Sequence, residues 1–487
     1  MRTAGIVVVV AVWLGLLAAL VGRQQPPTDA PLIALEDSPL SDPGRVQSDE
    51  WFGIYQDDRK IGWAHRSTTR GPNGLAFRDD SNLRLAMLGT EQQVQTSLVA
   101  KTDSEYALQG FRFRLVSPAA TFSAVGDVTP ERVHIEHGTG TAMNTLEIPL
   151  EEPIHLPTTL RSKLALWGAE PGARYGATVF SPLTMQNEIL TVTVKGRETI
   201  DGPNGPIETV RIGETHQGIE ATAWIAEDGS TIREEATLGF RLQREAPEVA
   251  VANIEGSAPV DLATENRIPL SGTIEQPREA SHLRLAVGGE AAGRIPDDPP
   301  RQRIANGILE IERESLRGAA PGDHATMVEA AYTEPSAFIE SEAPEIVAQA
   351  LQIVGGETDP GRKARLLVDW VRGALTQEMS VTIPSARAVL ESKTGDCNEH
   401  AVLLAALARA TGIPTRVVAG VVYAEDGFYY HAWNELWLGR WVSADAIFGQ
   451  FPADATHVKF LEGGPERHLE LADIVGRLEF TKLENPS

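Results

Sequence analysis

The sequence predicts a multidomain protein: a large antiparallel β domain at the N-terminal end, a small β-sandwich-like module, and a C-terminal α+β domain. Three observations carry this. A chain of 487 residues is too long for a single core, and about three domains are expected at that length. Short alternating or β-branched runs separated by turn residues fill the region from Trp51 to about Glu245. From Pro335 onward helical spacing comes first and a series of strands follows, the pattern of an α+β domain. The boundaries that result are 48–245 for the large β domain, 246–334 for the small module and 335–487 for the α+β domain.

Two segments precede these domains. Ala4 to Gly22 are 19 uncharged, mostly apolar residues between Arg2 and Arg23, a length that suits one membrane-spanning helix. No small-x-small cleavage pattern follows, so 1–23 read as an uncleaved anchor of a single-pass protein in the inner (cytoplasmic) membrane, with a cleaved signal as the alternative. The flanking charges are nearly balanced and set the orientation only weakly. Residues 24–47, rich in Pro, Asp and Ser, read as a linker that lifts an exported, periplasmic or extracellular, soluble part off the membrane. The net charge of −24 disfavours nucleic acid and anionic lipid as bulk partners, because phosphates are repelled.

Within the large β domain, Trp51–Tyr55 and Lys60–Ala64 flank a turn at Gln56-Asp57-Asp58-Arg59, and Asp228-Gly229 separates Ala223–Ile225 from Thr231–Glu234. Further strands are expected at 93–99, 110–116, 132–136, 189–194, 208–212 and 221–225. In the small module, His282–Val287 and Gly307–Ile311 alternate between Pro- and Gly-rich connections. Neither β region presents a chemical constellation. Trp63, Trp167 and Trp224 are candidates for a ligand cleft, although scattered aromatics in a β domain usually build core.

The chemistry lies further on. Cys397 is the only cysteine in the chain. In an oxidising compartment a lone cysteine has no intramolecular partner, so it is a free thiol or an intermolecular link. Asp396 stands before it as a helix cap and Glu399 follows three residues later, a capping-box spacing. Ala401, Leu404, Ala405 and Ala408 continue the helical face, and Gly412 with Pro414 ends it. A cysteine in the first helical turn is expected to gain thiolate character from the helix dipole, and the N–H groups there to offer an oxyanion hole. His431 sits in an alternating strand, Tyr429 to Trp437, and Asp445 follows in the next strand. A thiol, a histidine and a carboxylate are the parts of a nucleophile with its base and orienter. The register decides whether they meet. A two-residue turn at Gly439-Arg440 would send Asp445 to the wrong sheet face, whereas Trp437 opposite Trp441 places it diagonal to His431. The odd register is therefore expected. His400, one turn from Cys397, is a rival base. His457 and His468 stand isolated, and no His-x-x-x-His or Cys-x-x-Cys spacing suggests a metal.

The run Gly395-Asp396-Cys397-Asn398-Glu399-His400-Ala401, then His431-Ala432-Trp433-Asn434-Glu435-Leu436-Trp437, then Trp441 with Asp445, resembles the transglutaminase-like superfamily, particularly its bacterial members. Phe448-Gly449-Gln450-Phe451-Pro452-Ala453-Asp454-Ala455-Thr456-His457 resembles the segment that follows the aspartate in those proteins. The resemblance covers roughly Ala364 to Leu461. It departs from the family at Ala446-Ile447, where members commonly carry Pro-Thr, which affects the local turn. The resemblance implies a papain-like C-terminal domain in which Cys397, His431 and Asp445 are the catalytic triad. It further implies acyl transfer or hydrolysis on peptide or glutamine-type amides, with no cofactor and a peptide or protein substrate in the cell envelope. The alternative is a non-catalytic envelope binding or assembly module built on the same fold. A lipid-carrying β domain with an appended enzyme is a third reading.

Overall fold

In the computed structural model, residues 45–484 are described except for 57, 88–89, 164–167, 217–218, 237–238, 253, 255–266, 317–329, 379–382, 465–466, 468–470 and 472–473. The expected anchor, most of the linker, Trp167 and His468 lie outside the described residues. Among the described residues no helix is long and apolar enough to cross a membrane. The chain divides into two compact units, 1–262 and 263–487.

Among the described residues, the N-terminal unit is built on one antiparallel sheet of fourteen strands. It begins with Arg45–Gln56, so β structure starts inside the expected linker. Successive hairpins run from that strand outward to Ala142–Pro149 at one edge. A second series runs from Arg174–Ser181 at the other edge inward to Phe240–Glu245. The two series join where Arg45–Gln56 pairs with Phe240–Glu245, Trp51 opposite Glu245. The turn before Lys60 forms as the sequence indicates, with Gln56 opposite Arg59, and the Asp228-Gly229 turn joins Ile219–Ile225 to Thr231–Glu235.

This sheet curls into a nearly closed, barrel-like form. Ile154 accepts from the Leu108 N–H at 2.8 Å, while the next residue, His155, exchanges hydrogen bonds with Thr178 and Phe180 of the edge strand. The Phe111 and Phe180 rings meet across the interior at 4.9 Å between centroids. Trp224 is core, packed with Ile200, Ala226 and Ile232.

The interior also holds an ion network that the sequence had hidden. The partly buried Arg66 reaches Glu234 at 2.5 Å and Asp79 at 3.0 Å, and Arg161 grips Glu214 at 2.6 Å while also pairing with Glu234. The strand Gly74–Met87 therefore points charges inward, which blurs the apolar alternation by which strands are recognised. Arg66 and Glu234 lie 168 residues apart, so no local pattern could announce their pairing.

The expected separate module at 246–334 is not a domain of its own. Its strands Ile268–Ser271, His282–Gly288, Gln302–Ala305 and Ile308–Glu312 belong to the nine-stranded sheet of the C-terminal unit. The terminal strand Glu479–Lys482 inserts between Ile268–Ser271 and His282–Gly288 and ties the two stretches together. Leu283, Leu285, Leu309 and Ile311 share one core with Val421, Phe428, Val458 and Phe480. The apolar face of these four short strands must be buried against another element, and the rest of this sheet's core covers it.

The other half of the sheet carries the site. Gly427–Trp437 lies between Thr415–Ala424 and the short strand Trp441–Ala444, and His457–Glu462 pairs with the far side of Thr415–Ala424. Helices Pro344–Val354, Pro360–Ala374 and Ala386–Ser392 pack around the helix Cys397–Ala410. That helix is buried from Cys397 through Arg409. Its run Ala401-Val402-Leu403-Leu404-Ala405-Ala406-Leu407-Ala408 is apolar on every side, as a central helix requires.

Candidate active site

The helix start forms as its residues dictate. Asp396 accepts from the Asn398 N–H at 2.8 Å, and Glu399 reaches back to the Asp396 N–H at 3.0 Å, completing the capping box. Gly395, at φ +155°, precedes the cap and has the Glu399 side chain where a Cβ would stand. Cys397 is thereby fixed at the first helical position and is 8% exposed.

The strand facing this helix is bolted to it by polar bonds. Tyr430 Oη donates to Asn398 at 2.8 Å, and Asn434 Nδ2 donates to the Ala401 carbonyl at 2.9 Å. The Cys397 sulfur accepts from the Ala432 N–H, the residue next to His431, and it lies within electrostatic reach of Asp445.

The register is the odd one: Trp437 pairs with Trp441 and Asn434 with Ala444. Leu438 N–H donates to the Arg440 carbonyl around Gly439, whose φ is +80°. His431 Nε2 then lies 2.7 Å from Asp445 Oδ2. The other oxygen of Asp445 accepts from the Ile447 and Phe448 N–H groups at 2.7 and 3.1 Å. Asp445 and Gln450 close the turn that contains Ala446-Ile447 through paired backbone bonds. The histidines and backbone donors hold the buried Asp445 carboxyl far below the usual carboxylate range, despite the cost of desolvation. An ionised carboxylate only accepts, so His431 Nε2 carries the proton and Nδ1 is left as the basic nitrogen.

Two expectations about the helix start change. Burial, and after it the Asp396 charge, push the Cys397 thiol well above its ordinary range, although the Ala432 N–H works in the opposite direction. Desolvation outweighs the helix dipole, whose effect is of order 1 kcal/mol. Asp396 is itself pushed up, by burial first and then by Glu399, which weakens its repulsion of a thiolate. The cap also consumes the Asn398 N–H, so Cys397's own N–H is the first-turn donor it leaves for an oxyanion.

His400, the rival base, is engaged within its own helix. Its Nδ1 lies 2.7 Å from the Asp396 carbonyl, and burial lowers its affinity for a proton. His457 is not isolated: its Nε2 stands 2.8 Å from the same Asp445 oxygen that His431 uses. It was missed because it lies 12 residues after Asp445, on a strand that reaches the site only through pairing with Thr415–Ala424, Val422 opposite His457. His431, Asp445 and His457 bring three metal-ligating atoms together, all buried. Their N···O separations of 2.7 and 2.8 Å are hydrogen-bond distances. Two ligands on a tetrahedral zinc ion stand about 3.3 Å apart, so the arrangement reads as proton-linked.

Residues 347–446 match the family model of the transglutaminase-like superfamily. Within the C-terminal unit, that segment carries the transglutaminase-like fold. Among solved structures, a candidate cysteine protease from Cytophaga hutchinsonii shares 16% identity, over 45% of this chain and 88% of that one, with a TM-score of 0.30. A β-barrel-like protein of a domain of unknown function from Brucella abortus shares 14%, over 40% of this chain and 94% of that one, at TM-score 0.31. A candidate protease from Parabacteroides distasonis shares 11%, over 69% of each chain, at TM-score 0.20. Likenesses this distant say nothing of activity. No curated protein matches the chain.

Proposed function

We propose that the C-terminal unit is a thiol enzyme that transfers or hydrolyses acyl groups of peptide or glutamine-type amides through Cys397, His431 and Asp445. The observation that carries this is His431, held by its Nε2 on Asp445 with Nδ1 free, in a strand whose next N–H meets the Cys397 sulfur. The thiol proton passes to His431 Nδ1 as Sγ bonds to the amide carbon. The tetrahedral oxyanion collapses, the C–N bond breaks, and His431 gives the proton to the departing ammonia or amine. Water or a second amine then attacks the thioester. Water makes the reaction a hydrolysis, an amine a cross-link. The raised thiol means that this proton leaves during attack rather than before it.

The test is incubation of the protein with an N-acylated glutaminyl peptide and a dansylated primary amine. Ammonia release with an acyl adduct on Cys397, seen by mass spectrometry, is the expected result. Glutamate or dansylated product then identifies the second acceptor. Neither adduct nor ammonia across a panel of peptide amides would sink the enzyme reading.

One observation favours a non-catalytic binding module: Cys397 is buried, and burial pushes its thiol up. In that case Cys397→Ala would retain every partner interaction and cellular role of the native protein. We also propose that residues 4–22 anchor the protein in the membrane with the rest in the cell envelope, where its substrate would be a peptide or protein. Extraction of the protein by alkaline carbonate would overturn the anchor.

A further inference from the structure

Resting on the reading of His431 and Asp445 given above, we propose that His457 is a positioning residue of the site: a double N–H donor that bridges Asp445 to Asp454 and shares the charge of Asp445. The geometry is closed on both sides. His457 Nε2 is 2.8 Å from Asp445 Oδ2, and Nδ1 is 3.2 Å from both Asp454 Oδ1 and the Asp454 carbonyl. Every one of these atoms is an acceptor when the carboxylates are ionised, so both ring nitrogens carry protons and the imidazole is a cation.

The surroundings favour that cation. His457 is fully buried, with Asp445 and Asp454 as the charged groups against it. Arg278 pairs with the far side of Asp454 at 3.1 Å. The His431 ring, also ionisable, is 5.6 Å away, and the rings of Trp433 and Phe448 lie at 5.2 and 6.0 Å. Bonds to both carboxylates raise the proton affinity of His457 against the opposing effect of burial. Asp454 is kept in place by Thr456, through N–H and hydroxyl at 2.8 and 2.5 Å, and by Gln450 Nε2 at 3.0 Å.

Two consequences follow for the reaction. Asp445 cannot swing off His431, because one oxygen is held between two imidazoles and the other by two backbone N–H groups. The His457 charge also offsets part of that of Asp445, so a thiolate forming at Cys397 meets less negative field.

The first two measurements need no substrate. In the whole protein labelled with ¹⁵N-histidine, one histidine is expected to keep both ring protons at pH 7.5, where an ordinary imidazole is neutral, and its signal is lost in His457→Gln. A neutral His457 at pH 7.5 would overturn the proposal. The rate of Cys397 alkylation by iodoacetamide is then followed against pH. In His457→Gln its midpoint moves up by about half a pH unit or more, because a positive charge has left the site. Asp454→Asn leaves Asp445 untouched and removes a negative charge beside a His457 that keeps its acceptors, so it moves the midpoint down instead and serves if the first variant does not fold. A lower melting temperature with an unmoved midpoint in both variants means His457 is merely structural. With the glutaminyl peptide, kcat in His457→Gln falls at least tenfold while KM changes less than twofold. If the NMR and alkylation results hold and no variant or native protein turns over any amide, the enzyme reading fails while the bridge stands.

Discussion

Trp437 lies directly opposite Trp441, with the turn around Gly439 between them, and this one register choice puts Asp445 on the His431 side of the sheet. Side chains alternate along a strand, so a slip of one residue would reverse Asp445. Deleting Gly439 tightens the turn by one residue. A folded protein without the His431–Asp445 bond is expected, with a rate as low as that of Asp445→Asn. Full activity in the deletion variant would show that the register does not decide the site.

Asp445→Asn keeps the shape but loses the charge and the fixed tautomer of His431. A loss of about 10³–10⁴-fold in kcat is expected, by analogy with the role of the aspartate in serine triads. Cys397→Ser should abolish the acyl adduct altogether. Steady-state kinetics and intact-protein mass spectrometry check both, and a loss below tenfold in Asp445→Asn would remove Asp445 from the mechanism.

The pH dependence of Cys397 alkylation follows from its raised thiol. Burial and the Asp396 charge favour the protonated form, so the rate should climb above the ordinary thiol value near ~8.5 rather than reach a plateau at neutral pH. Asp396→Asn removes the nearby carboxyl and should shift the climb to lower pH. A plateau already at pH 6 would contradict the burial argument.

Stability should follow the same buried cluster with a definite sign. Asp445 and Asp454 have depressed values, so their contribution is present above about pH 3.9 and is lost as pH falls below it. His457 has a raised value, so its contribution is full below about pH 6.5 and is lost as pH rises through the folded-state value. The difference in melting temperature between native protein and His457→Gln should therefore be greatest between about pH 4 and 6.5 and shrink toward pH 9. A difference that grows with pH would reverse the assignment.

Gly420 sits opposite His431, and a Cβ there would overlap the Val458 carbonyl and come within 3.0 Å of the Trp433 ring. Gly420→Ala is expected to destabilise the unit by about 1–3 kcal/mol through overpacking. Denaturant unfolding measures this, and an unchanged midpoint would mean that the strands separate freely.

Much of the site was legible because its signals are local. The capping box around Cys397 spans four residues, the apolar helix after it needs no partner to be recognised, and the alternation from Tyr429 to Trp437 marks a strand by itself. The hairpin to Asp445 required only a choice between two turn lengths. What escaped depended on distance along the chain. His457 joins the site through the pairing of its strand with Thr415–Ala424, and Glu234 meets Arg66 and Arg161 across an interior that no periodicity describes.

The sequence by itself determined the lone thiol, the histidine strand, the aspartate and the cap that places Cys397 at a helix start. Those follow from backbone propensity and side-chain period, which act over a few residues. Tertiary structure alone decided that strands 268–312 complete the sheet of the C-terminal unit rather than fold apart. It also decided that His457 shares Asp445 and that the Cys397 thiol is raised instead of lowered. The reason is physical: desolvation and carboxylate sharing depend on what is packed around a group, and packing is settled only when distant segments meet.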